Sequence, residues 1–205
     1  MWDLFLSGGP VMWPLLLCSI ISLTVLLERV WFWLQLDLDK DKPAIEALLE
    51  GFLSRKKEGG PARESKSIVF RMLASGIAHQ GFSSTKAMEA VALDAVKSMR
   101  RGMPVLDTII TIAPMLGILG TVLGIISSFD MLGQAGVEEP KAVVAGIAEA
   151  LITTAAGLSI SVATVFPFNY FNSRIENAQD TLEHYGTRLE IILGSSSNTK
   201  TEPGI

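Results

Sequence analysis

The sequence predicts an all-α membrane protein with three transmembrane helices, the second and third extended into a cytoplasmic helical bundle. Three observations carry that reading. Hydrophobic residues make up 49% of the 205 and charged residues only 19%. Charge is absent from three runs, residues 4–27, 108–129 and 150–173, each longer than the roughly 20 residues needed to cross about 30 Å of hydrocarbon. The lysines and arginines gather in one region, with twelve in residues 34–107, one (Lys141) in 130–143 and three after residue 173.

The first run begins the chain. Asp3 is its only early charge and no lysine or arginine precedes Arg29, so the basic front of a cleavable signal is missing. It ends in "LLERVWFWLQ" without a small-residue cleavage pattern, and is read as a retained span. Trp13 near one end and Trp31 and Trp33 near the other fit interfacial belts. The positive-inside rule then places the N-terminus outside and both the middle segment and the C-terminus in the cytoplasm.

The middle segment reads as helical. "PAIEALLEGFLSRK" (43–56) starts with a proline at a first-turn position and sets Ile45, Leu48, Leu49, Phe52 and Leu53 on one face. Gly59, Gly60 and Pro61 break it. A second helix is expected over 67–81. A third, over 83–102, opens with serines suited to capping and aligns Met88, Val91, Ala92, Ala95 and Met99. "GSSSNTKTEPGI" at the end reads as a disordered tail. The expected layout is therefore 1–33 for the outward N-terminus and first span, and 34–107 for the cytoplasmic helical region. The second span follows at 108–131, a short periplasmic loop at 132–143, the third span at 144–171, and a helix extension with tail at 172–205.

Enzymatic chemistry is not expected. Cys18, the sole cysteine, lies inside the first span, and His79 and His184 stand far apart, so neither a metal nor a cofactor site is predicted. Basic residues of the middle segment are interleaved with acids, which argues against nucleic acid.

The second and third spans hold the candidate site. In "TIITIAPMLGILGTVLGIISSF" (108–129), Gly117, Gly120 and Gly124 recur at three and four residues and share a face that another backbone can approach. The run lacks the GK[ST] ending of a phosphate loop. Pro114 is a candidate kink, which neighbouring helices can accommodate. In "GIAEALITTAAG" (146–157) an acid and two threonines interrupt an apolar run. At about 1.5 Å per residue, Thr154 and Thr121 reach similar depth on antiparallel helices. A carboxylate at membrane depth is expected to face protein or a cavity, so Glu149 should point inward. At about 100° per residue Thr153 shares the face of Glu149, while Thr154 groups with Gly157 and Ser161. Spacing alone leaves open which threonine lines a cavity.

An outward N-terminus, three spans with a large insertion after the first, "APMLGILGTVLGII" and "GIAEALITTAAGL" together resemble the MotA/TolQ/ExbB proton-channel family. The resemblance extends to the opening "GGPVMWPLLLCSIISLTVLLERVW" and is closest to its ExbB and TolQ branches. It implies an inner-membrane, proton-driven motor subunit. Such subunits form a homo-pentamer around the single spans of an ExbD-like or TolR-like dimer, whose aspartate carries the proton. The motion energises a TonB-like protein for outer-membrane import, or a TolA-like protein for envelope maintenance. Carried over by position, the pore-lining threonines fall on Thr121 and Thr154 and the third-span acid on Glu149. Thr153 stands where related sequences often have a small apolar residue. Gly117, Gly120, Gly124 and Gly157 are the expected packing positions.

Overall fold

The computed structural model describes residues 8–36, 42–53, 67–79, 83–135 and 140–198. Six helices occupy them: α1 (Met12–Gln35), α2 (Lys42–Leu53), α3 (Ile68–Ala78), α4 (Ser84–Met99), α5 (Met103–Ala135) and α6 (Pro140–Asn198). The described residues contain no strand. Among the described residues, three helical stretches are long and apolar enough to cross a membrane. Backbone proximity divides the chain into two units, Met1–Trp31 with Gly102–Phe171, and Phe32–Arg101 with Asn172–Ile205.

Helix ends differ from the expected boundaries for local reasons. Within the first charge-free run α1 begins at Met12, preceded by an irregular turn at Gly8, Gly9 and Pro10 with Gly9 at φ 70°. Side chains rarely adopt that left-handed conformation, and glycine can. Gly102, at φ 79°, separates α4 from α5, so α5 starts five residues before the expected second span. Helix also occupies much of the expected loop 132–143, since α5 runs to Ala135 and α6 opens on Pro140. Proline is well suited to a first helical position, where its missing N–H is not needed. The helix likewise continues through residues 194–198 of the expected tail. Residues 54–56 and 80–82, the loop remainder 136–139 and the tail end 199–205 lie outside the described residues.

In the first unit, many large apolar side chains of the helices face outward. Leu17, Ile20 and Leu23 of α1, Met115 and Ile118 of α5, and Phe166 of α6 are all exposed. A water-soluble unit rarely exposes so much apolar surface, whereas lipid or neighbouring subunits would cover it. The inner face holds a cluster of Val11, Met12, Leu15, Ile109 and Ala113. Arg29 is fully buried and makes a two-pronged pair with the half-exposed Glu28, at 2.7 and 2.5 Å.

The second unit has an ordinary apolar core. Ile45 and Leu49 of α2, Leu73 and Met72 of α3, Met88 of α4, and Leu182 and Leu189 of α6 pack together. The expected capping serine, Ser83, sits at the helix start but makes no side-chain capping bond. Trp13 and Trp31 are exposed, whereas Trp33 is buried. The guanidinium of Arg174 lies over its ring, 5.4 Å from the centroid, a geometry in which a cation is drawn to the ring face.

Candidate functional site

The site forms where α5 and α6 cross with almost no side chain between them. A methyl placed on Gly117 would lie 3.1 Å from the Cα of Thr154, and one on Gly124 would lie 3.0 Å from the Ala150 Cβ. Gly157 meets the Ala113 carbonyl and the Gly117 backbone in the same way, and Gly120 receives the Thr153 side chain. Glycines spaced by three and four thus bring two helix backbones into contact, which is the packing that membrane helices use when apolar burial alone cannot drive association.

Close approach of the backbones puts hydroxyls beside carbonyls. Thr121 Oγ1 touches Thr154 Oγ1 across the crossing. Thr121 Oγ1 also lies 3.1 Å from the Gly117 carbonyl and 3.3 Å from the Ala150 carbonyl. Thr154 Oγ1 lies 3.0 Å from the same Gly117 carbonyl. Each hydroxyl has one proton and two lone pairs. Two protons therefore face three acceptor contacts and one mutual contact, and all are taken up within the cluster. What the half-buried pair can still offer a visitor is lone pairs, which accept a hydrogen bond from a protonated carboxyl or from water.

Thr153 is turned away from that pair. It is buried, and its hydroxyl lies 2.8 Å from the Gly8 carbonyl and 2.9 Å from the Glu149 carbonyl. Glu149 is half-buried, and its carboxylate lies against Gly9. The structure thus sorts the four polar residues into two groups, Thr121 with Thr154 and Glu149 with Thr153. The turn at Gly8 and Gly9 was not among the residues singled out from sequence. Its signal, a Gly-Gly-Pro run inside an apolar stretch, was there to be read.

Proline chemistry supplies one more contact. Helix α5 continues through Pro114, which has no N–H for the carbonyl four residues back, that of Ile110. Ser161 of α6 donates to that carbonyl at 2.8 Å, as a neighbouring hydroxyl can within a membrane bundle. Among the described residues, no three His, Cys, Asp or Glu side chains converge as metal ligands.

Comparison with known proteins gives a consistent answer. Residues 64–184 match the MotA/TolQ/ExbB proton channel family. An ExbB-like biopolymer transport protein of Synechocystis sp. is 37% identical over 197 residues, covering 93% of this chain and 78% of the relative. Biopolymer transport protein exbB1 of Vibrio cholerae is 30% identical, covering 86% of this chain and 81% of its own length. The Tol-Pal system protein TolQ of Haemophilus influenzae is 34% identical over 108 residues, covering 53% of this chain and 47% of its own length.

Proposed function

The chain belongs to the MotA/TolQ/ExbB proton channel family, and on that premise we propose that it is the ExbB-like subunit of a proton-driven motor in a bacterial inner membrane. Five copies surround the single spans of an ExbD-like dimer, with the N-terminus periplasmic and the C-terminus cytoplasmic. The motor delivers the energy of the proton gradient to a TonB-like protein for outer-membrane import. The hydroxyl pair of Thr121 and Thr154 across the α5–α6 crossing carries this reading.

The chemistry follows from that pair. A partner carboxyl that has picked up a proton can donate it in a hydrogen bond to the threonine lone pairs. After the proton leaves, the carboxylate finds no O–H to receive and has reason to move on. Thr121 and Thr154 are therefore the pore-lining contacts, with Glu149 and Thr153 bordering the path. Each proton falling through 100 mV releases about 2.3 kcal/mol, so several protons suffice to bias a mechanical step. The likeness to TolQ supports a second reading, in which a TolR-like dimer fills the pore and a TolA-like protein is energised for envelope maintenance.

Proton flux into vesicles holding the chain with its ExbD-like partner tests the proposal. Thr154→Val keeps the shape, removes the hydroxyl, and should abolish flux while leaving the assembly's native mass unchanged. Normal flux through that variant would sink the pore role and favour a non-conducting scaffold. Co-purification with an ExbD-like rather than a TolR-like protein separates the two motor readings.

A further inference from the structure

Residues 8–11 fold back onto α6 instead of extending α1. Gly8 is buried and its carbonyl accepts the Thr153 hydroxyl at 2.8 Å. Gly9 lies so close to Glu149 that a Cβ there would collide with Oε1 and sit 3.0 Å from Cδ. Its φ of 70° independently disfavours any side chain. The turn is anchored below by Val11, Met12 and Leu15, which pack on Ile109 and Ala113. The Met12 N–H closes it by donating to the Gly9 carbonyl at 3.2 Å.

Irregular backbone in an apolar bundle is tolerated only where protein satisfies its polar groups. Thr153 does this for Gly8. The same hydroxyl lies 2.9 Å from the Glu149 carbonyl, one turn back on α6. One side chain therefore links the turn to the segment that carries the acid. Its methyl group is held as well, because it fills the space left by Gly120.

We propose that the Gly8–Gly9 turn is a backbone seat that fixes the direction of the Glu149 carboxylate, with Thr153 as its positioning residue. Gly9 is the position that must lack a side chain, and Gly8 supplies the carbonyl that Thr153 holds. This assigns Thr153 a task separate from the Thr121–Thr154 pair. It rests on the proton-motor reading only for the purpose of Glu149, not for the placement of its carboxylate.

The test reads the carboxylate itself. The full chain, purified with its partner, is treated with dicyclohexylcarbodiimide, and modification of Glu149 is followed by mass spectrometry. Thr153→Val and Gly9→Ala should unseat the acid and label about three- to tenfold faster, the factor expected when one hydrogen bond of ordinary net strength is lost from a local equilibrium. Thr153→Ser keeps the donor and should label at the original rate. Equal rates in Thr153→Val and the unaltered chain would overturn the seat, as would Thr153→Ser labelling as fast as Thr153→Val. Should Gly9→Ala fail to assemble, the Val and Ser variants at position 153 decide alone. Proton flux is measured in parallel: Glu149→Gln conducting normally would remove the purpose of the acid while the labelling result still judges the seat.

Discussion

Ser161 donates its hydroxyl proton to the Ile110 carbonyl at 2.8 Å, the carbonyl that Pro114 deprives of its own helical partner. Ser161→Ala should therefore cost about 1 kcal/mol by leaving a partly buried acceptor unmet. In a Pro114→Ala background the helix supplies its own N–H, and the same serine substitution should cost far less. A double-mutant cycle on thermal unfolding in detergent checks this, and equal costs in both backgrounds would refute it.

Gly157→Ala should destabilise the α5–α6 pair by about 1–3 kcal/mol, because the new methyl meets the Ala113 carbonyl and the Gly117 backbone, neither of which can rotate aside. Leu158→Ala, on the exposed side of the same helix, should change stability by only about 0.5 kcal/mol. Comparing their melting temperatures decides the matter, and a larger loss at Leu158 would contradict the assigned packing.

Arg29 is buried while its partner Glu28 is half-exposed. Water can take over part of the carboxylate's role, so Glu28→Ala should cost about 1 kcal/mol, near the range for surface pairs. Arg29→Ala also empties a packed volume and should cost clearly more. Reversal of that order in chemical denaturation would show that the pair is not arranged as described.

Leu73 is fully buried in the second unit. Leu73→Ala should cost about 2–5 kcal/mol, from lost burial and the cavity left behind. The matching control is Leu93→Ala on exposed α4 surface, which should be nearly silent in the same melt.

Much of this arrangement could be read in the sequence, and the misses share a cause. Long charge-free runs announce the membrane helices because the bilayer excludes charge, and the glycine spacing places Gly117, Gly120 and Gly124 on one face. The 100° helical step separates Thr153 from Thr154, but their partners, Gly8 and Gly117, come from tertiary approach that no local period encodes. The turn ahead of α1 stays hidden because glycine and proline carry no charge, so a hydropathy count passes over a turn that backbone geometry imposes. Trp33 looks interfacial from its type, whereas it is buried with Arg174 of α6, some 140 residues later in the chain, over its ring.

The crossing of α5 and α6 also constrains mechanics. Sliding one helix past the other by a turn would set Gly124 against Ala150 and Thr154 in place of Gly146 and Ala150, bringing a branched side chain towards its backbone. The glycine contacts are matched to one register and oppose sliding, so the two helices pack as one bar rather than as a ratchet. In the proposed motor, a stroke would then arise between bars of different subunits or against the partner's spans. A disulfide staple joining α5 to α6 within one subunit should leave the stroke untouched.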